Sequence, residues 1–198
     1  TVQEGILPDN ARILVVHHSE PLSVVALHTN KPSNNLSAEM LCKTVGAEVY
    51  GVPGTWDKGL SAIRAYLDSL GIDSTTYEIV DGSGVSRYNL VFPHMLVILL
   101  RGISSDFEIE PEFTASLPIA GVDGSLQHRM KGTPAEGVLR AKTGTLSGVS
   151  ALSGYTETAD GERLAFSILM QHFVVPARNM RAIQDKIGAL ISGVRLRY

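Results

Sequence analysis

The sequence predicts an α+β fold, in which helices come first and an antiparallel sheet flanked by helices follows. The clearest helix runs from Thr55 to Leu70, where apolar residues recur at helical spacing until Gly71 ends the pattern. In the last third of the chain, three runs have the composition of β-strands: residues 138–146, 150–158 and 164–171. Their connections are short, and one contains the hairpin pair Asp160-Gly161, so we expect antiparallel pairing.

The other elements are assigned from the same kinds of signal. Residues 12–17 form an apolar, β-branched run that is typical of a buried strand, and Pro21 opens a short helix. Further helices with one apolar face are predicted over residues 36–46, 93–103 and 176–192. Short helices and turns are expected between residues 104 and 131.

Composition excludes several classes of protein. The 198 residues include 17 Lys+Arg and 20 Asp+Glu, for a formal net charge of −3, so we expect no nucleic acid partner. The single cysteine, Cys42, excludes an internal disulfide framework and a multi-cysteine metal site. No apolar run approaches the ~18 residues that a membrane span requires.

Two short segments could carry chemistry. Lys142-Thr143-Gly144-Thr145 lies on the first predicted strand of the sheet, where an ammonium and a hydroxyl can receive a carboxylate and Gly144 leaves room for a ligand. Ser33-Asn34-Asn35 separates two predicted helices, where the serine can relay a proton and Asn35 can hold an amide or a lysine. Each segment has a structural alternative. The first could be an ordinary strand with a bulge glycine, and the second could be a helix N-cap.

Together the two segments are a stronger signal, because Ser-x-Asn followed by Lys-Thr-Gly is the order found in penicillin-recognising serine enzymes. Longer stretches around them resemble the D-alanyl-D-alanine carboxypeptidase/endopeptidases of the class C, low-molecular-mass penicillin-binding proteins. The matching stretches follow one another along the chain, at residues 30–39, 81–87, 117–126 and 140–149.

The resemblance implies part of a transpeptidase domain like that of penicillin-binding proteins and β-lactamases. Such a domain has a five-stranded antiparallel sheet with helices on both faces, beside an all-helical lobe, with the active site between them. No metal and no organic cofactor is implied. The family acts on peptidoglycan outside the cytoplasmic membrane, so a periplasmic or other extracytoplasmic location is expected.

One motif of the family, Ser-x-x-Lys, which carries the nucleophile and its base, is missing from the sequence. No lysine has a serine three positions before it, and Thr55-Trp56-Asp57-Lys58, which comes nearest, lies after Ser33 rather than before it. We therefore expect residues 1–198 to be the C-terminal part of the catalytic domain, with residues 1–18 as the return from inserted domains. The nucleophile would then lie on a segment outside this chain.

The resemblance also implies roles for the residues near the predicted cleft. Ser33 would relay a proton to the leaving amine, and Asn35 would orient the substrate amide and the lysine of the nucleophile. Lys142 and Thr143 would hold the terminal carboxylate of D-Ala-D-Ala or of penicillin.

Two further positions have expected roles. The backbone N–H of Thr145 would complete an oxyanion hole. Gly144, which has no side chain, would let the backbone of a ligand come close to the strand. Arg87 is another candidate for contact with the substrate carboxylate, and its alternative is a salt bridge that ties its loop to the fold.

The expected function is a serine D-Ala-D-Ala carboxypeptidase/endopeptidase that forms an acyl-enzyme and is acylated by penicillin. Its expected partners are peptidoglycan peptides ending in D-Ala-D-Ala, β-lactams and the N-terminal part of the same protein. The alternative from a different class is a non-catalytic peptidoglycan- or penicillin-binding module. A third hypothesis is a related esterase or β-lactamase, although the Glu-x-x-Leu-Asn motif of β-lactamases is missing.

Overall fold

The computed structural model describes residue 5 and residues 8–196. Its first five helices, α1 to α5, span Leu22–Asn30, Asn35–Tyr50, Trp56–Ser69, Pro93–Ser104 and Glu110–Ser116. A 3-10 turn at Gly124–Leu126 is followed by β1 (Arg140–Leu146), β2 (Val149–Glu157), β3 (Arg163–Gln171) and α6 (Ala177–Gly193). The predicted order of helices, three strands and a final helix is confirmed.

The three strands form one antiparallel sheet in the order β1-β2-β3. Lys142 of β1 stands opposite Ser153 of β2, and Ser153 stands opposite Ser167 of β3. The predicted hairpin turn joins β2 to β3, with the backbone N–H of Thr158 donating to the Glu162 carbonyl at 2.9 Å. Within the described residues, β1 is therefore an edge strand.

Helices cover both faces of this sheet, as expected. Tyr155 and Thr156 are consecutive on β2, so their side chains point to opposite faces. The Tyr155 hydroxyl donates to the Leu100 carbonyl on α4 at 2.6 Å, and the Thr156 and Ser192 hydroxyls, the latter on α6, lie 2.6 Å apart. Burial raises the pKa of Tyr155 to about 12, which keeps this phenol a neutral donor.

The main apolar core lies between the sheet and the segment that leads into β1. Its buried members are Ala120, Leu126, Met130, Ala135, Leu139, Ala141, Leu152 and Phe166. Four of these eight precede Leu139, so the segment before β1 is fixed by burial rather than by regular secondary structure. Each buried leucine contributes roughly 1.5–3 kcal/mol of transfer free energy.

Helices α2 and α3 pack at very close range because small residues face each other. Gly59 and Gly46 are in contact, and a Cβ atom built on Gly59 would lie 2.1 Å from the Cys42 carbonyl oxygen and 2.6 Å from its Sγ. Cys42 is buried, as expected for a small apolar side chain. None of the helices in the described part of the chain is both long and apolar enough to cross a membrane.

The predicted strand over residues 12–17 is wrong. Residues 11–20 have no regular secondary structure, and the side chains of Leu14 and Val15 are 87% and 84% exposed. A strand exists only through hydrogen bonds to a neighbouring strand, and no strand among residues 8–196 pairs with this run. Its β-branched composition therefore cannot produce a strand here.

The helix contact at Gly59 gives a stability prediction. Replacing Gly59 by Ala raises helix propensity, but the new methyl group would overlap the Cys42 backbone, so we expect a net loss of about 1–3 kcal/mol. Ser61→Ala is the matched control, because Ser61 is exposed on the same helix and should tolerate the change. Urea unfolding of both variants measures the difference. Equal stability of the two variants would contradict the close contact.

Candidate active site

Ser33 lies in the short connection between α1 and α2. Its φ angle is 61°, a left-handed conformation that costs a residue with a side chain about 1–3 kcal/mol. The next residue, Asn34, caps α2 by accepting a hydrogen bond from the Ser37 backbone N–H at 3.1 Å. The N-cap interpretation of this segment therefore holds for Asn34, which leaves Ser33 free for another contact.

That contact is with Lys142, 109 positions away in the chain. The Lys142 Nζ atom donates to Ser33 Oγ at 2.6 Å and to the Thr143 carbonyl at 2.9 Å. Burial lowers the pKa of Lys142, because an ammonium loses solvation there. An ammonium can only donate, so Ser33 accepts from it and keeps its own hydroxyl proton available for a third group.

The outer edge of β1 presents backbone groups beside Lys142. The Ala141 N–H points away from β2 and donates to the Pro118 carbonyl at 3.0 Å. Backbone N–H groups two residues apart along a strand point to the same side, so those of Thr143 and Thr145 face this outer edge too. Thr145 is exposed, which leaves its N–H at an accessible position.

Thr143 and Gly144 complete this strand segment. The Thr143 hydroxyl lies 2.6 Å from the hydroxyl of Ser125, which belongs to the 3-10 turn. A Cβ atom added to Gly144 would lie 3.3 Å from the Ala151 Cβ on β2, which is a tight contact. A side chain at position 144 would therefore crowd its neighbour on β2.

The other two predicted site residues, Asn35 and Arg87, lie in different parts of the structure. Asn35, two residues after Ser33, is the first residue of α2 and is exposed. The Arg87 guanidinium donates to the Ser147 carbonyl at 2.6 Å, in the turn between β1 and β2. Arg87 thus ties its loop to the sheet, as in the structural alternative, but through a carbonyl group rather than a salt bridge.

The loop that carries Arg87 is held by two carboxylates. Asp81 accepts hydrogen bonds from the backbone N–H groups of Gly84 and Ser86, both at 2.6 Å, as aspartate side chains do in turns. Glu39, on α2, accepts from the backbone N–H groups of Gly82 and Ser83 at 3.1 and 3.0 Å. The same helix that begins beside Ser33 therefore also anchors this loop.

Hydrogen bonding decides the ionisation of Glu39. Burial by itself would raise the pKa of this carboxyl, but hydrogen bonds from Ser83, Gly82 and the Trp56 indole together hold it below the ordinary value. The indole Nε1 donates to Glu39 at 2.8 Å. Glu39 lies within the matching stretch 30–39, yet nothing in its local sequence indicated this role.

A second contact that the sequence did not indicate holds the Ser33 loop. Lys31, whose side chain is 14% exposed, donates to the Leu117 carbonyl at 2.6 Å and forms an ion pair with Asp123 at 2.7 Å. Asp123 also accepts from the Ile119 backbone N–H at 2.8 Å. Because Ile119 bridges Arg140 at the start of β1, the loop and the strand are joined through Asp123.

A cavity of about 310 Å³ lies between α4 and the sheet and is lined by Arg101, Ser104, Ser105, Tyr155, Arg163 and Ala165. None of the predicted site residues belongs to it. Among the described residues, no group of His, Cys, Asp and Glu side chains is arranged to hold a metal ion.

The sequence is similar to those of known D-alanyl-D-alanine carboxypeptidases. The chain is 45% identical, over 188 residues, to a D-alanyl-D-alanine carboxypeptidase of Actinomadura sp. (strain R39). The matching region covers 92% of this chain and 34% of that protein. The chain spans about a third of the length of the curated relatives that it matches.

Solved structures share the fold. Penicillin binding protein 4 (dacB) from Haemophilus influenzae, complexed with a β-lactam, superposes with a TM-score of 0.80 at 28% identity, over 90% of this chain and 43% of that one. The TLA-1 β-lactamase matches at a TM-score of 0.61 and 16% identity, over 86% of this chain and 61% of that one, which shows the fold alone. The predicted α+β class, with an antiparallel sheet flanked by helices, is confirmed.

A family model supplies the assignment. The model of the D-Ala-D-Ala carboxypeptidase 3 (S13) family matches residues 1–193, which is nearly the whole chain. This agrees with the resemblance drawn from the Ser-x-Asn and Lys-Thr-Gly segments. The chain belongs to the D-Ala-D-Ala carboxypeptidase 3 (S13) family.

Proposed function

We propose that the complete protein containing this chain is a serine D-Ala-D-Ala carboxypeptidase/endopeptidase of peptidoglycan, and that β-lactams acylate it. Residues 1–198 form the C-terminal part of its catalytic domain, with residues 1–18 as the return from inserted domains, and the protein acts outside the cytoplasmic membrane. The observation that carries the proposal is the 2.6 Å hydrogen bond from Lys142 to Ser33, which joins the two family motifs.

The nucleophile is supplied by a Ser-x-x-Lys segment outside these 198 residues. Its hydroxyl oxygen attacks the carbonyl carbon of the penultimate D-alanine while the lysine of that segment takes the hydroxyl proton, a C–O bond forms, and the C–N bond to the terminal D-alanine breaks. Water then hydrolyses the ester. The β-lactam carbonyl is attacked in the same way, which opens the ring.

Ser33 relays the proton that this step requires, and the hydrogen bond from Lys142 positions its hydroxyl. The leaving nitrogen needs a proton as the C–N bond breaks, and the Ser33 hydroxyl proton is free to supply it because Lys142 occupies the acceptor side of that oxygen. The lysine of the nucleophile then passes the proton that it took up to Ser33, so Lys142 stays an ammonium. Asn35, at the start of α2, orients the substrate amide and the lysine of the nucleophile.

The edge of β1 binds the rest of the substrate. The Lys142 ammonium and the Thr143 hydroxyl hold the terminal carboxylate, and Gly144 leaves room for the peptide. The outward N–H of Thr145 stabilises the oxyanion together with the N–H of the nucleophile, where one donor is worth about 10²–10³ in rate. Arg87 is a further contact for the carboxylate, supported by its loop lying against the turn that ends β1.

The function is tested by measuring D-alanine release. The complete protein, incubated with a peptide ending in D-Ala-D-Ala, should release D-alanine, and prior exposure to benzylpenicillin should abolish the release. Reversible peptide binding without release would favour the non-catalytic module instead. Rapid, continuing hydrolysis of benzylpenicillin would favour the esterase or β-lactamase hypothesis.

A second prediction follows from the lowered pKa of Lys142. Only the ammonium attracts a carboxylate, so acylation by benzylpenicillin should fall at alkaline pH, with a midpoint below the ordinary lysine value of 10.5. Acylation rates between pH 7 and 10 measure this limb. In Lys142→Arg the side chain stays charged throughout the range, so the limb should move to higher pH even if the rate is lower overall. The same alkaline limb in both proteins would contradict the role of Lys142.

A further inference from the structure

Ser125 is placed to control the hydroxyl of Thr143. The two oxygens lie 2.6 Å apart, so one hydroxyl donates to the other. A hydroxyl has a single proton and a carboxylate can only accept. Thr143 can therefore hydrogen-bond a ligand carboxylate only if Ser125 is the donor of the pair and Thr143 keeps its proton for the ligand.

The backbone of Ser125 is fixed to the loop that carries Ser33. Its N–H donates to the Lys31 carbonyl at 3.0 Å. The preceding residue, Gly124, has a φ of 54°, and a Cβ there would lie 2.6 Å from the same carbonyl oxygen, so only glycine allows this approach.

The Lys31 side chain secures the other end of this contact. Its ammonium is held by Asp123 and by the Leu117 carbonyl at 2.7 and 2.6 Å, so the carbonyl that receives the Ser125 N–H is part of a fixed loop. The Ser125 hydroxyl is thereby held at one position along β1. Ser125 is exposed, and its hydroxyl lies beside that of Thr143.

We propose that Ser125 is a positioning residue that orients the Thr143 hydroxyl proton toward the carboxylate of the ligand, and so gives the site its preference for a free C-terminal carboxylate. The inference rests on the proposed function, since it assigns the carboxylate to Lys142 and Thr143. It adds a residue that acts on the ligand through Thr143 rather than by touching it.

The test compares a carboxylate ligand with its neutral ester in the complete protein. Acylation by benzylpenicillin and by benzylpenicillin methyl ester is followed over a range of concentrations, which separates the binding constant from the acylation rate constant. Ser125→Ala should weaken the binding of benzylpenicillin about tenfold, as expected for one hydrogen bond to a charged group, with the rate constant and the ester little changed. Ser125→Thr should restore the preference, and Ser104→Ala, at an exposed serine on α4, is the control.

A second pair of variants shows whether Ser125 acts through Thr143. In a Thr143→Val background, adding Ser125→Ala should cause no further loss of carboxylate binding. An undiminished loss in that background would overturn the inference, because Ser125 would then act on its own. An equal loss for the acid and the ester, or no loss, would also overturn it. Failure of the wild-type protein to react with either ligand would overturn the proposed function itself and this inference with it.

Discussion

The hydrogen bond from Lys142 to Ser33 is the contact on which the rest of the candidate site depends. It joins a loop between two helices to the edge strand of the sheet, across 109 positions of sequence. Partial burial of an ammonium is costly unless its N–H groups find acceptors, and Ser33 and the Thr143 carbonyl accept hydrogen bonds from two of them. Ser33 is therefore held in place by its hydrogen bond to Lys142 as well as by the contacts of its own loop.

The left-handed conformation of Ser33 persists because its surroundings hold it on both sides. Asn34 starts α2 directly after it, and Lys31 anchors the chain two residues before it through Asp123 and the Leu117 carbonyl. These contacts offset the strain of about 1–3 kcal/mol. Leu117 and Asp123 belong to the segment that leads into β1, so this segment also helps to hold the conformation of Ser33.

The sequence predicted the parts of the molecule that depend on local pattern. Helix α3, whose predicted span Thr55 to Leu70 exceeds Trp56–Ser69 by one residue at each end, and the three strands follow from periodicity and turn residues. The Ser33 and Lys142 segments were found because their motif order is characteristic. The predicted strand at residues 12–17 failed because a strand needs a partner that local composition cannot supply.

Contacts between residues that are far apart in the sequence could not be predicted from such patterns. Lys31 and Asp123 are 92 positions apart, and Ser125 reaches Thr143 across 18. Glu39 is an ordinary helix residue in sequence, and only the fold brings it to the loop at Gly82. All four of these missed residues, Lys31, Glu39, Asp123 and Ser125, hold other site elements in place, which explains why residue chemistry alone did not reveal them.

We propose that this chain supplies the proton relay and the carboxylate-binding edge of a site whose nucleophile lies elsewhere in the protein. The most direct measurement is to react the complete protein with benzylpenicillin, digest it, and identify the modified residue by mass spectrometry. We expect a penicilloyl group on the serine of a Ser-x-x-Lys segment outside these 198 residues. A penicilloyl group on a serine of this chain, Ser33 included, would show that the nucleophile does not lie elsewhere.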